Sequence, residues 1–303
     1  MAKKKDTIYF YIPDFSVRFN IVSTLLSRMK THKKYYRPNI EIGAIYGSFG
    51  GAIWNGGRTQ LGSTSLSDVR RQIDYYHAIQ MPIRFTWTNP VLRSFHYEDE
   101  YCNLIMDWAQ NGINEVLVND VGLEHYIRLK YPKYSVLSST TKRITDENRL
   151  FREMNKDYKL VVLDYDLNNK WNILEKIKEP ERCEILVNAA CNPNCPFRKQ
   201  HYDLLGKNQL RQPVEFPTEI ALCAAYSRRI KDLEKFPTFV SWEAIEKEYV
   251  PRGFRHFKIE GRTLPHDVFI ENLVYYLVRD EYKEQETKIL LEAATKDVVD
   301  FKR

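Results

Sequence analysis

The pattern of hydrophobic and polar residues alternates repeatedly between one typical of strands and one typical of helices. Short apolar runs typical of buried strands recur every 25 to 45 residues, and most are followed by a segment with apolar residues at helical spacing. The predicted strands are Thr7–Ile12, Ile40–Tyr46, Pro82–Trp87, Glu115–Val118, Tyr134–Ser138, Leu160–Leu163, Glu184–Asn188 and Phe254–Ile259. The predicted helices are Val17–Met29, Ser67–Ile79, Glu98–Ala109, a short one after Gly122, Asp146–Met154, Trp171–Ile177 and Asp267–Val278.

Repeated strand–helix units predict an α/β protein with a parallel sheet. Eight such strands can close on themselves, and a closed (β/α)8 barrel takes about 250 residues, so residues 1–303 are predicted to form one TIM-type barrel domain. No Gly-x-Gly-x-x-Gly follows the first strand, which disfavours a dinucleotide-binding fold. A last amphipathic helix, Gln285–Asp297, is predicted to pack across one end of the barrel.

The segment from residue 189 to residue 216 has little periodicity and follows the seventh strand. It carries two cysteines, three prolines and several basic residues. A long connection of this kind in a compact domain is usually functional. In a parallel barrel it emerges at the carboxyl ends of the strands, where active sites lie. We therefore expect the working site there.

Cys191 and Cys195 flank Asn-Pro-Asn, a turn-forming sequence that can bring two thiolates to one metal ion. Four thiolates suit an iron–sulfur cluster, and three with His201 suit zinc. Cys191 beside His201 is also a candidate nucleophile and base.

Two further cysteines are candidate ligands. Cys183 lies just before the seventh strand, and Cys223 lies in a predicted helix over Thr218–Lys231. The alternative is that both are small buried apolar residues, which is how we interpret Cys102 on the third helix.

Polar residues at the predicted carboxyl ends of the strands should face the opening at that end of the barrel. Burying them there costs free energy unless a ligand or another residue pairs with them. About half are expected to cap the following helix instead, Asp120 and Asp146 being good candidates. The set comprises Asp14, Tyr46, Thr88, Asn89, Asn119, Asp120, Ser139, Thr140, Asp164, Asp166, Asn188, Glu260 and Arg262. The triplet Gly56-Gly57-Arg58 is either an anion-binding turn or a tight turn only.

The net charge of +6 favours an anionic partner, either RNA or an anionic small molecule, although it also serves solubility. If the partner is RNA, its phosphates would contact the basic residues near Cys191 and Cys195. These are Arg198, Lys199, Arg211, Arg228, Arg229 and Lys231. The run from Arg28 to Arg37 should lie at the opposite face.

No stretch of about 18 apolar residues predicts a membrane span. With neither a signal peptide nor a paired cysteine pattern, we expect a cytoplasmic protein with reduced thiols. Association with a partner protein or with a second copy stays open.

Several segments resemble the collagenase-like peptidases of family U32. Lys258-Ile259-Glu260-Gly261-Arg262 is similar to that family's Lys-Ile-Glu-Gly-Arg signature, and the similarity covers most of the barrel. Further resemblances are Leu137-Ser138-Ser139-Thr140, Leu160-Val161-Val162-Leu163, Val187-Asn188-Ala189-Ala190-Cys191-Asn192 and Arg198-Lys199-Gln200-His201-Tyr202.

The resemblance implies a barrel that holds a [4Fe–4S] cluster through four cysteines. It also implies oxygen-independent hydroxylation of RNA bases or of a quinone ring, in some members with prephenate as the oxygen donor. Cys191 and Cys195 would be ligands, and Glu260 and Arg262 would line the pocket.

Three functions follow as hypotheses. The first is an iron–sulfur enzyme that modifies an RNA base or another anionic or aromatic substrate. It would use Glu260, Arg262, Asn188 and His201 for catalysis, Cys183, Cys191, Cys195 and Cys223 as cluster ligands, and Arg58, Asp164, Arg198 and Lys199 to bind substrate. The second is a peptide hydrolase, which has no His-Glu-x-x-His or Gly-x-Ser-x-Gly motif to support it. The third is a binding or accessory subunit that kept the fold without the chemistry.

Overall fold

The computed structural model describes residues 7–189, 191–223 and 227–297, with the backbone alone at 222 and 223. Eight parallel strands form a closed barrel in chain order, and the first strand pairs with the last. The strands are β1 (Ile8–Pro13), β2 (Ile40–Gly47), β3 (Ile83–Trp87), β4 (Glu115–Val118), β5 (Ser135–Ser138), β6 (Val161–Val162), β7 (Cys183–Leu186) and β8 (His256–Lys258). The predicted (β/α)8 barrel is confirmed.

Helices surround this barrel. They are α1 (Phe19–Thr31), α2 (Leu66–Ala78), α3 (Glu100–Ala109), α4 (Val121–Lys130), α5 (Glu147–Met154), α6 (Trp171–Leu174), α7 (Arg198–Gln209), α8 (Thr218–Cys223), α9 (Ile230–Leu233), α10 (Trp242–Ala244), α11 (His266–Leu277) and α12 (Lys283–Ala294). A π-helical turn, Ile245–Tyr249, continues α10. The predicted capping is confirmed, because the Asp120 carboxylate accepts the Leu123 N–H at 2.7 Å and that of Asp146 accepts the Arg149 N–H at 2.8 Å.

Most buried apolar side chains belong to two separate layers. The larger layer fills the space between strands and helices and includes Phe10, Phe85 and Ile185. A smaller cluster inside the barrel includes Tyr46, Leu117, Leu137 and Val162. Because side chains alternate across a strand, neighbouring residues of one strand supply the two layers.

The segment 189–216 is more ordered than its sequence predicts, because it contains α7. The buried face of α7 consists of Arg198, Tyr202, Gly206 and Gln209. Because two of these residues are polar and one is glycine, the segment lacks the apolar residues at helical spacing that would have predicted a helix. The predicted helix over Thr218–Lys231 is also wrong in part, since residues 227–229 are not helical; residues 224–226 lie outside the described part.

Helix α12 was predicted to cross one end of the barrel, and it instead lies antiparallel beside α1. Arg28, late in α1, pairs with Glu286, early in α12, at 2.5 Å. At the other end, the Asp297 carboxylate accepts the N–H groups of Asn20 and Ile21. The extra helix therefore completes the ring between α11 and α1.

Candidate functional site

A pocket of about 100 Å³ opens where the carboxyl ends of the strands meet. We call it the mouth pocket. The predicted site residues that line it are Arg58, Cys191, Cys195, Arg198, His201, Glu260 and Arg262. The structure thus brings these residues to one pocket at the predicted face, and their roles stay predictions.

Arg262 is a half-buried cation whose described hydrogen-bond partners carry no negative charge. One guanidinium nitrogen donates to Asn55 Oδ1 at 2.9 Å and Thr86 Oγ1 at 3.1 Å, and the other donates to the carbonyl of Gly56 at 2.8 Å. Burial lowers the pKa of Arg262 to about 10, so the group stays charged at neutral pH. The guanidinium is thus held by three hydrogen bonds without an ion pair to a carboxylate of the described residues. The Asp14 carboxylate attracts it electrostatically, but that carboxylate is paired with Arg18 at 2.5 Å.

Lys258, on β8, lies at the floor of the mouth pocket and is 5% exposed. Its Nζ lies 4.0 Å from the centre of the Tyr46 ring and 3.7 Å from a Glu184 carboxylate oxygen, beyond hydrogen-bond distance. Burial lowers the pKa of Lys258 to about 7, against the attraction of Glu184. A substantial fraction of this amine is therefore uncharged at neutral pH.

A buried ion network lies beneath the lysine. Arg84 donates to Glu115 at 2.6 Å and also to Glu184, and its guanidinium carbon lies 3.8 Å from the centre of the Tyr11 ring. Glu184 therefore divides its charge between Arg84 and Lys258, which leaves the lysine weakly paired.

Glu260 and Arg58 form an ion pair at the rim of the mouth pocket. Asn188 holds this position, because its amide oxygen accepts the Glu260 N–H at 2.6 Å and its amide nitrogen donates to the Glu260 carbonyl at 2.9 Å. Asn188 does not line the pocket, so it acts as a positioning residue. The Gly56-Gly57-Arg58 turn presents a carbonyl to Arg262, and a Cβ at Gly56 would lie 2.3 Å from the Thr88 carbonyl.

The cysteine segment forms part of the pocket wall through Cys191 and Cys195. Cys191 packs beside Tyr165 and near Cys195, and burial raises the pKa of the Cys191 thiol. Burial, with a contribution from Arg58, lowers the pKa of His201 to about 4. A catalytic thiolate needs a lowered pKa, so the predicted nucleophile and base are not activated by this arrangement.

The structure does not bring all four candidate ligand cysteines together. Cys183 is the first residue of β7, at the amino end of the strand, where its sulfur lies 3.7 Å from the Met154 sulfur. Its assignment as a ligand is therefore wrong, and burial explains the residue as apolar packing. Cys102 is fully buried in the core, as predicted, and the Cys223 side chain lies outside the described residues.

Three predicted substrate-binding residues have other partners. Arg198 donates to Asp164 at 2.8 Å and to Asp166 at 2.9 Å, all three side chains being buried. Asp164 does not line the mouth pocket, and its role is to fix α7 through Arg198. Lys199 is exposed and pairs with Asp203 at 2.7 Å, so it does not reach the pocket either.

Sequence reasoning missed Lys258 as a site residue, together with Thr86, Tyr165 and Tyr202 on the pocket walls. Strand alternation was the available signal. Lys258 lies between the buried apolar residues Phe257 and Ile259, so it must point to the barrel interior.

The fold and the site define a (β/α)8-barrel protein with a cation-rich pocket at the catalytic face of the barrel. No family model matches the chain. The chain is similar to an uncharacterized protease of Methanocaldococcus jannaschii, with 23% identity over 258 residues that cover 83% of this chain and 76% of that protein. It is also similar to a solved structure of a U32 peptidase, with a TM-score of 0.51, 12% identity and coverage of 88% of this chain and 96% of that one. The resemblance to U32 peptidases is thus confirmed, and the structural match shows the shared fold alone.

No helix within the described ranges is long and apolar enough to cross a membrane.

Proposed function

We propose that the protein is an enzyme that modifies a small anionic substrate, a carboxylate or a phosphate, in the mouth pocket. Arg262 carries this proposal. Its guanidinium donates to neutral acceptors only among the described residues, and the carboxylate that attracts it, Asp14, is already bound by Arg18, so no directly bound counter-ion offsets its desolvation there. An anionic ligand would supply that counter-ion through charge-assisted hydrogen bonds.

The other pocket residues extend this function. Lys258 adds a second cationic or neutral nitrogen at the floor, and Glu260 is the carboxylate at the rim. Because Arg58 and Asn188 hold Glu260 in place, its carboxylate is positioned to exchange a proton with a bound substrate.

Three of the six basic residues expected to contact RNA phosphates are paired with carboxylates, which favours a small substrate over an RNA base. Arg198 and Lys199 are bound by nearby carboxylates, and Arg229 pairs with Asp267 and Glu271. Phosphate contacts with RNA would require these pairs to be broken. An RNA base remains the alternative hypothesis for the substrate.

The family resemblance implies a [4Fe–4S] cluster and oxygen-independent hydroxylation. The cysteines do not fit a cluster with four thiolate ligands, because Cys102 and Cys183 are buried away from the mouth pocket and only Cys191, Cys195 and Cys223 remain. We therefore derive no step through a cluster. Metal binding by Cys191 and Cys195, with zinc and His201 as an alternative, stays a proposal for metal analysis.

The peptidase alternative rests on the names of the two similar proteins. The raised pKa of Cys191 gives it no support from the site. An accessory subunit would keep the pocket without turnover.

Isothermal titration calorimetry with lactate, malonate and inorganic phosphate tests the proposal. We expect saturable binding of at least one of these anions, weakened about 10- to 100-fold in Arg262→Gln. The matched control is Arg70→Gln, which alters an exposed pair on α2 and should bind as the wild type does. Equal affinity in Arg262→Gln and wild type, or no binding by a folded wild type, would contradict the proposal.

A further inference from the structure

The amine of Lys258 has an unusual combination of burial and weak pairing. The residue is 5% exposed and lines the mouth pocket, yet the nearest carboxylate oxygen of the described residues, on Glu184, is 3.7 Å away. Glu184 also accepts a hydrogen bond from Arg84, which competes with the lysine for its charge. A nitrogen in this position is available to a ligand in the pocket.

The surroundings of the amine favour its neutral form. Burial is the main cause that lowers the pKa of Lys258, and Arg84 on β3 and Arg262 after β8 add to it by repelling a proton. Glu184 on β7 and the face of the Tyr46 ring act in the opposite direction, and burial outweighs them. On β2, the Tyr46 ring lies 4.0 Å from Nζ and is fixed because its hydroxyl donates to the Ile259 carbonyl at 2.6 Å. The lysine therefore has a defined position as well as a free lone pair in a large fraction of molecules.

We propose that Lys258 forms an imine with a small 2-oxo acid in the mouth pocket, with Arg262 binding the carboxylate of that acid. This inference rests on the proposed function and names the substrate class of the same site. A 2-oxo acid places a carbonyl carbon next to its carboxylate, which matches an amine and a guanidinium that line one pocket of about 100 Å³. The pocket volume suits an acid of a few carbon atoms.

The step needs no oxidant or reductant. The Nζ lone pair attacks the carbonyl carbon and forms a C–N bond, and the carbonyl oxygen then leaves as water with the two hydrogens of the amine. The product is a C=N bond between Lys258 and the acid. When protonated, this imine draws electrons from the neighbouring carbons, which activates them for bond making or breaking.

Reductive trapping tests the proposal. The wild-type protein is incubated at pH 7 with pyruvate or glyoxylate and sodium cyanoborohydride, and the modified lysine is located by peptide mass spectrometry. We expect one carboxyalkyl group per chain, on Lys258, because its amine lines the same pocket as Arg262, and little labelling of the exposed Lys235, which pairs with Asp232 on the surface. The rate should rise as the pH is raised through about 7.

The controls separate the amine from the anion site. Acetone, which has a carbonyl without a carboxylate, should not label Lys258 at the same concentration, and lactate should protect it by competition. Lys258→Arg should remove the adduct, and Lys235→Arg should keep it. Labelling spread equally over surface lysines would overturn the proposal. Calorimetric binding of pyruvate without an adduct on Lys258 would overturn the imine and leave the anion site standing, whereas absence of all anion binding would remove both.

Discussion

The carboxylate of Asp297, just after α12, accepts a hydrogen bond from the backbone N–H of Asn20 at the start of α1, with a distance of 2.7 Å between the two atoms. Its second oxygen accepts the next N–H, that of Ile21, at 3.0 Å. The first turn of α1 has no acidic residue and no side-chain cap of its own. The end of the described chain thus supplies the cap that its beginning lacks.

This contact predicts that Asp297→Ala destabilises the protein by about 1–2 kcal/mol, because two helical N–H groups lose their acceptor and the helix dipole loses a negative charge. Urea unfolding followed by circular dichroism measures the change. Asp157→Ala, at a fully exposed carboxylate, is the control and should shift stability by less than about 0.5 kcal/mol. Equal effects of the two substitutions would show that the cap is unimportant.

Lys258 predicts a pH dependence of stability. In the folded protein its pKa is lowered to about 7, whereas the unfolded chain keeps the ordinary value of 10.5, so the unfolded chain binds the extra proton between these limits. The free energy of unfolding should therefore rise with pH from about 7 to 10, and this rise should be smaller in Lys258→Met. Denaturant titrations of both proteins across this range measure the difference, and parallel curves would contradict the lowered pKa.

Removal of Arg84, the central cation of the buried ion network, should strongly lower the free energy of unfolding. Arg84→Met leaves the buried carboxylates of Glu115 and Glu184 without their common partner, and we expect a loss of about 3–5 kcal/mol in the free energy of unfolding. The exposed pair of Arg70 and Asp74 offers a matched control, since Arg70→Met should cost less than about 1 kcal/mol. A loss below about 1 kcal/mol in Arg84→Met would mean that the carboxylates are solvated or protonated.

Because Cys183 lies at the amino end of β7, we expect that its substitution does not change the metal content of the protein. Iron and zinc are measured in anaerobically purified protein, where Cys183→Ala should equal the wild type and lower only the melting temperature. Cys191→Ser should reduce any metal present, because this thiol faces the mouth pocket. Loss of metal in Cys183→Ala would contradict its placement, and a metal-free wild type would refute the cofactor proposal.

Several features of the candidate site were predicted from short segments of the sequence. The turn-forming residues around Cys191 and Cys195, and the polar residues Glu260 and Arg262 after the last strand, pointed to the carboxyl face of the barrel. The structure brings these four residues to one pocket. Cys183 was misassigned because sequence proximity to a strand does not tell which end of the barrel a side chain reaches.

The order of eight strands and the caps at Asp120 and Asp146 were determined by sequence alone, because hydrophobic period and capping are properties of short segments. Which charged side chains form ion pairs was decided by the tertiary structure. Arg198 was expected to bind substrate and instead joins Asp164, 34 residues away, and Arg262 was left with neutral partners only among the described residues. Such pairings depend on closure of the barrel, which brings distant strand ends within a few ångströms, and no local pattern encodes that distance.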